Sequence, residues 1–195
     1  MKHPRPAKAS DPLVANKRPD PFSRTLILGG VRSGKSRLAE RLASEGAGPV
    51  TYIATATAGD GEMAVRIRAH RARRPAHWGL VEEPLHLAEA LAAHAAPGHC
   101  LLVDCLTLWL TSLLLAEDAT LCGREGTALI QVLPTLPGRI ILVSNETSLG
   151  VMPLGELSRR FGDAAGQLHQ DLTPLCDRVI LAVAGLPFTL KGAQP

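Results

Sequence analysis

Gly29-Gly30-Val31-Arg32-Ser33-Gly34-Lys35-Ser36 fits the pattern G-x-x-x-x-G-K-[ST], the phosphate-binding loop of many nucleotide-binding proteins. Its glycines permit the tight backbone path that turns amide N–H groups toward phosphate oxygens. Lys35 can reach the β- and γ-phosphates of ATP or GTP, and the Ser36 hydroxyl can ligate Mg²⁺. The alternative is a chance glycine-rich turn. However, an apolar run precedes the loop at residues 26–28 and a helical pattern follows at 36–43, so the motif predicts a nucleotide-binding strand–loop–helix unit.

Outside this loop, short apolar runs alternate with longer segments of helical spacing. Leu157, Phe161, Ala164 and Leu168 follow one another at steps of three and four, which places them on one side of a helix. This alternation predicts an α/β fold with a mostly parallel sheet flanked by helices, whose ligands bind at the carboxyl ends of the strands. The runs suited to strands buried on both faces are residues 25–28, 50–54, 101–104, 140–144 and 179–184.

One acidic residue stands where such a sheet would place a metal ligand. Asp104 closes the apolar run 101–104, and a carboxylate at that position would face the phosphate site and hold Mg²⁺ directly or through water. The competing interpretation is that Asp104 caps the N-terminus of a following helix.

A second unusual stretch, residues 62–75, contains five arginines and His70. Guanidinium groups match phosphate geometry bidentately, so the cluster could clamp a polyphosphate. The other interpretation is the solvated face of a helix. From composition alone, His70 could be a surface residue, a core residue or a nucleophile.

Composition and charge exclude several classes of protein. The 195 residues are 46% hydrophobic and 3% aromatic, which supports one packed core but no aromatic platform for single-stranded nucleic acid. Residues 1–24 are rich in proline and hold six basic and two acidic residues. Since the formal net charge of the whole chain is +3 and that of residues 1–24 is +4, residues 25–195 carry a net charge of −1. We therefore expect a disordered basic extension at 1–24, a domain at 25–192 and no nucleic-acid partner.

Two further features point to the cytoplasm. No run reaches the roughly 18 uninterrupted apolar residues that a membrane span needs, and the N-terminal segment lacks the apolar core of a secretory signal. The four cysteines show no paired-ligand spacing and are interpreted as small buried hydrophobes in a reducing compartment.

Together these segments resemble one known family, the bifunctional adenosylcobinamide kinase / adenosylcobinamide-phosphate guanylyltransferases of cobalamin biosynthesis. The resemblance covers roughly residues 25–192, and the joint presence of Ile-x-x-His-Arg-x-x-Arg-Pro and Val-Ser-Asn-Glu is particular to it. This chain departs from the family's pattern at residues 117–136, a segment that is shorter than the helical region expected there. The matching segments are 28–36, 52–56, 62–67, 70–71, 74–75, 78, 102–107, 143–146, 150, 153, 161–166 and 183–187.

The resemblance implies a RecA-like P-loop fold, a homotrimer and two reactions at one site. The first phosphorylates adenosylcobinamide, a corrinoid, with ATP or GTP. The second transfers GMP from GTP to adenosylcobinamide phosphate through a covalent guanylyl intermediate on His70, with Lys35 as the second catalytic residue and Mg²⁺ at Ser36 and Asp104. By the same match, nucleotide contacts are expected at Gly29, Gly30, Val31, Arg32, Ser33, Gly34, Lys35 and Ser36, at Thr55, Ala56 and Thr57, at Arg71, Ala72, Arg73 and Arg74, and at Glu82 and Asp104.

Two other functions fit the phosphate loop. One is a different small-molecule P-loop kinase that forms no covalent intermediate. The other is a RecA-like nucleotide switch that binds DNA or a protein partner. The near-neutral domain and the scarcity of aromatic residues argue against DNA as that partner.

Overall fold

A computed structural model describes residues 23–56, 61, 74–147 and 149–194. The N-terminal segment 1–22 and most of the arginine–histidine stretch lie outside these ranges. The elements in chain order are β1 (Arg24–Gly29), α1 (Lys35–Ser44), β2 (Val50–Ala54), β3 (Gly79–Glu82), α2 (Leu87–His94), β4 (Cys100–Asp104), α3 (Leu106–Leu115), α4 (Leu121–Val132), a 3-10 turn (Leu133–Thr135), β5 (Arg139–Asn145), α5 (Glu156–Leu175), β6 (Arg178–Val183) and β7 (Leu186–Lys191).

The strands form one sheet in the order β3-β2-β4-β5-β1-β6-β7. Every neighbouring pair is parallel except β6 and β7, which form an antiparallel hairpin at the edge. Strand β5 stands between β1, which leads into the phosphate loop, and β4, which ends at Asp104. The predicted fold class, an α/β fold with a mostly parallel sheet flanked by helices, is confirmed.

The core lies on both faces of this sheet because its central strands are apolar at successive positions. In β1, Leu26 and Leu28 pack with the cluster around Trp109 on α3, whereas Ile27 between them packs against Leu42 of α1 on the opposite face. Alternate side chains of a strand point to opposite faces, so a continuous apolar run indicates burial on both. This places the carboxyl ends of β1, β4 and β5 at one rigid edge.

All five strands predicted from the sequence are present, and the predicted long helix is α5. The strands β3 and β7 were missed. Both are edge strands with mostly exposed residues, and β7 contains Pro187, so neither has the buried apolar run used to recognise the others. The segment 117–136, which is shorter than the helical region expected from the resemblance, carries the twelve-residue helix α4.

Two general expectations can be compared with the described residues. Cys100, Cys105 and Cys176 are buried and Cys122 is half-buried, and all four are free thiols. In the described ranges, no helix is both long enough and apolar enough to cross a membrane.

Candidate functional site

The phosphate loop connects β1 to α1 and presents unused backbone donors. Among the backbone amides of residues 31–36, only that of Ser33 donates to a carbonyl oxygen within the described part of the chain. Its acceptor is Gly30 O, at 3.2 Å. Gly34 adopts a left-handed conformation, φ +94°, as the N-cap residue of α1, and Arg32 also has a positive φ of 58°. The remaining amides, together with the positive end of the α1 dipole, form an anion site.

The loop is packed tightly against the hairpin β6–β7. A Cβ added at Gly29 would lie 2.5 Å from Ser33 Oγ and 2.6 Å from Ala182 O, so no larger residue fits there. From the turn of the hairpin, Gly185 donates its amide to Ser33 O at 2.8 Å. The hairpin therefore supports the loop from behind, a contact that the sequence motif did not reveal.

Lys35 is held at the centre of the site. Its side chain is buried, and Nζ donates to Gly30 O at 3.1 Å, so the amine lies along the loop. Burial lowers the pKa of Lys35, while the nearby Cys105 and Asp104 oppose that shift. The arrangement places a cation where the phosphates of a nucleotide would lie.

Asp104 lies at the end of β4 with one carboxylate oxygen uncommitted. Its Oδ2 is buried and has no hydrogen-bond partner among the described residues, and the Tyr52 phenol on the neighbouring strand lies close to the carboxylate. The N-cap residue of α3 is Cys105, so Asp104 itself is not that cap. A buried carboxylate oxygen without a partner is the kind of oxygen ligand that Mg²⁺ prefers. Asp104 also lies near Lys35, the residue that precedes Ser36 in the chain.

Thr55 fixes the backbone next to Asp104. Its side chain is fully buried, and Oγ1 both donates to Cys105 O at 2.7 Å and accepts from Cys105 N at 3.0 Å. Both bonds join the end of β2 to the end of β4. The hydroxyl of Thr55 is therefore committed to the protein, and the predicted nucleotide contacts of Thr55 and the adjacent Ala56 stay predictions.

Tyr52 connects the arginine–histidine stretch to the metal-binding side of the site. The Arg74 guanidinium lies 4.4 Å from the centroid of the Tyr52 ring, a cation–π contact. Burial raises the pKa of the Tyr52 phenol, and the adjacent Asp104 carboxylate raises it further. The phenol is thus a neutral group beside Asp104, and its ring anchors Arg74.

The other predicted residues are distributed as follows. Glu82 lies at the carboxyl end of β3, in register with Ala54 on β2, so it belongs to the same edge of the sheet. The predicted nucleophile and several nucleotide-binding positions lie outside the described residues; they are Thr57, His70, Arg71, Ala72 and Arg73.

The carboxyl end of β5 adds a polar cluster to which the sequence analysis gave no role. Glu146 donates its amide to Gly29 O at 3.1 Å, and Asn145 donates its amide to Thr107 Oγ1 at 2.7 Å. Ser144 Oγ lies 2.8 Å from Nε2 of the buried His169, whose Nδ1 is 3.9 Å from Glu146 Oε2. Burial lowers the pKa of His169, and Glu146 acts in the opposite direction. His169 stands among the apolar positions of α5. The presence of a histidine there was the only sequence signal for this contact.

A phosphate loop with a buried lysine, a carboxylate two strands away and a mostly parallel sheet define a P-loop nucleotide-binding protein. Residues 25–190 match the model of the family described as cobinamide kinase / cobinamide phosphate guanyltransferase, and the chain belongs to that family.

Curated relatives of the chain carry related names. It is 66% identical over 169 residues to the bifunctional adenosylcobalamin biosynthesis protein CobP of Pseudomonas aeruginosa, covering 87% of this chain and 98% of that protein. It is 38% identical over 179 residues to the bifunctional adenosylcobalamin biosynthesis protein CobU of Salmonella typhimurium, covering 85% and 98%. Among solved structures, the flagellar accessory protein FlaH of Methanocaldococcus jannaschii matches with a TM-score of 0.45 and 14% identity, over 87% of this chain and 78% of that one.

Proposed function

We propose that this protein phosphorylates adenosylcobinamide and then transfers GMP to the product, giving adenosylcobinamide-GDP. The observation that carries the proposal is the 66% identity to a bifunctional adenosylcobalamin biosynthesis protein across almost the whole of that protein. The phosphate loop supports it, because both reactions begin from a nucleoside triphosphate.

In the kinase reaction, the hydroxyl oxygen of the substrate's aminopropanol arm attacks the γ-phosphorus of ATP or GTP. A new P–O bond forms, the bond from the γ-phosphorus to the β–γ bridging oxygen breaks, the nucleoside diphosphate leaves and the hydroxyl proton passes to solvent. The protein's task is positioning and charge neutralisation. The loop amides and Lys35 supply these to the triphosphate.

We propose that Ser36 and Asp104 hold Mg²⁺. When bound, the ion would neutralise negative charge on the triphosphate oxygens. The uncommitted Oδ2 of Asp104 supports this assignment.

In the guanylyltransferase reaction, a ring nitrogen of His70 attacks the α-phosphorus of GTP. A P–N bond forms and pyrophosphate leaves. A phosphate oxygen of adenosylcobinamide phosphate then attacks the same phosphorus, the P–N bond breaks and His70 is restored. Imidazole suits this role because its ordinary pKa of about 6.5 leaves it largely neutral at pH 7. Arg71, Arg73 and Arg74 would favour the neutral form, and the Arg74–Tyr52 contact holds one end of this segment beside Asp104.

The experiment that tests the covalent step uses GTP labelled at the α-phosphate. Protein, Mg²⁺ and labelled GTP are incubated without corrinoid, and the denatured protein is analysed on a gel. We expect acid-labile, alkali-stable label on the wild type and none on His70→Ala. His77→Ala, which changes an exposed histidine in the described residues, is the matched control and should label normally.

The Lys35→Ala variant tests whether the two reactions share one nucleotide site or use two independent sites. We expect it to impair both reactions, because both use the same triphosphate. An unaffected kinase rate would contradict the shared site. Phosphorylation of adenosylcobinamide without protein labelling would indicate a P-loop kinase, whereas nucleotide binding with neither reaction would indicate a nucleotide switch.

We further propose that the protein is a homotrimer that binds no nucleic acid. Leu186, Phe188 and Leu190 alternate along the edge strand β7, and each is more than half exposed, so one face of the strand offers an apolar row for self-association. Sedimentation equilibrium should give three times the mass of one chain. A salt-dependent gel shift with DNA, expected to be absent, tests the second statement.

A further inference from the structure

An open groove of about 760 Å³ lies between α3, α5 and the loop that follows β5. Leu114 and Leu115 contribute to its wall from α3, and Leu157 and Phe161 contribute from α5. Its size is in the range of pockets that bind small molecules and cofactors. The reactions proposed above do not assign these residues a role.

The loop side of the groove is apolar and exposed. Val151 is 96% exposed and Met152 is 62% exposed, and both line the groove. The loop is nevertheless held in place, because Arg159 on α5 donates to the carbonyl oxygens of Pro153 and Leu154. A fixed apolar surface beside a pocket is typical of a ligand-binding site.

The groove begins where the phosphate site ends. Thr147, which lines the groove, follows Glu146, whose amide bonds to Gly29 O at 3.1 Å. On the opposite wall, Thr111 donates to Thr107 O at 2.9 Å, one helical turn away. Since β5 stands between the strands that carry the phosphate loop and Asp104, a molecule in the groove would lie at the same edge of the sheet as these two features.

The chemistry of the lining selects the kind of molecule. Asp163 is the charged residue among the described lining residues, and the polar remainder consists of hydroxyls and the amides of Gln167 and Gln170. A nucleotide would meet no cation there. A cobalt corrin offers the complement, because it is a large apolar ring with neutral carboxamide side chains and a net positive charge.

We propose that this groove binds the corrin ring of the adenosylcobinamide substrate and so directs its aminopropanol arm toward the nucleotide. The proposal rests on the function proposed above and adds the site of the second substrate. The corrin carboxamides would exchange hydrogen bonds with the amides and hydroxyls of α5, and Val151 and Met152 would cover an apolar face of the ring.

The test compares Val151→Lys and Met152→Lys with Leu154→Lys. All three changes place a cation on the same exposed loop, but Leu154, which is 97% exposed, does not line the groove. Kinase rates are measured with adenosylcobinamide varied at saturating nucleotide. We expect the two groove variants to raise KM for adenosylcobinamide by about tenfold, equivalent to about 1.4 kcal/mol, with kcat and the nucleotide KM unchanged. The Leu154 variant should behave as wild type.

Three further results have defined meanings. Unchanged KM for adenosylcobinamide in both groove variants overturns the proposal. Dissociation of the oligomer by Val151→Lys, measured by sedimentation, also overturns it, since the groove would then be an interface between copies of the chain. If the wild type does not phosphorylate adenosylcobinamide, the proposed function fails. Equilibrium dialysis with adenosylcobinamide then tests the groove separately from the reaction. Binding that Val151→Lys removes would support the groove as the corrin site, and no binding by the wild type would overturn it.

Discussion

Replacing Thr55 with valine isolates the contact that joins the carboxyl ends of β2 and β4. Valine has nearly the shape of threonine, so the change removes the hydroxyl and preserves packing at a fully buried position. The hydroxyl makes two hydrogen bonds, both to the backbone of Cys105. The substitution therefore leaves the buried N–H of Cys105 without a partner, whereas the Cys105 C=O keeps the hydrogen bond that it accepts from Trp109 N at 3.2 Å.

The expected cost follows from those two groups. The orphaned donor costs about 1–3 kcal/mol and the lost hydrogen bond to the C=O costs about 1 kcal/mol more, so Thr55→Val should lower the free energy of unfolding by about 2–4 kcal/mol. Thr55→Ser is the matched control, because it keeps the hydroxyl and loses one buried methyl group, worth about 1 kcal/mol. Urea unfolding measures both, and the slope of the free energy against urea should be unchanged. A valine variant as stable as the serine variant would refute the reasoning.

Nucleotide binding by the same variants decides how Thr55 serves the site. Because its hydroxyl is committed to Cys105, its effect should pass through the adjacent Asp104 to Mg²⁺. We expect Thr55→Val to weaken the binding of a fluorescent GTP analogue in the presence of Mg²⁺ but not in its absence, and Thr55→Ser to bind normally. Equal weakening with and without Mg²⁺ would instead indicate a direct contact between Thr55 and the nucleotide.

Three other predictions test neighbouring contacts. Tyr52→Phe removes the phenol hydroxyl beside the Asp104 carboxylate and keeps the ring under Arg74, so it should cost about 0.5–1.5 kcal/mol in urea unfolding; strict additivity with Asp104→Asn would contradict the coupling. His169 has a pKa lowered by burial, so the native state binds fewer protons than the unfolded state, and stability should fall as pH drops below about 6.5. The stability of the His169→Gln variant should fall less steeply than that of the wild type as the pH drops. Parallel curves of unfolding free energy against pH would refute this. For Asp177, burial raises the pKa, but hydrogen bonds from Arg24 and Ser23 outweigh it and lower it. Asp177→Asn should cost about 0.5–1 kcal/mol at pH 7 at this exposed position. The difference should begin to shrink as the pH falls below about 4 and disappear only below the lowered native pKa; a difference that does not shrink in acid would contradict the contact.

The central strands and the phosphate loop could be predicted from the sequence because each is a local pattern. Residues 24–29 form an uninterrupted buried run followed by the glycine-rich loop, and both the strand and the turn are encoded within about a dozen neighbouring residues. The edge strands could not be predicted in this way. In β7 the apolar residues Leu186, Phe188 and Leu190 are exposed, and what makes the segment a strand is its pairing with β6.

The candidate site divides along the same line. Lys35 and Asp104 were predicted because each stands at a recognisable place, a loop motif or the end of an apolar run. The roles of Tyr52 and Thr55 depend instead on the pairing of β2 with β4, which sets Ala54 opposite Asp104 and Tyr52 opposite Leu102. A shift of one residue would turn both side chains to the other face of the sheet. Such register is a property of the assembled sheet, so the support around Asp104 follows from the fold, whereas Asp104 itself follows from the sequence.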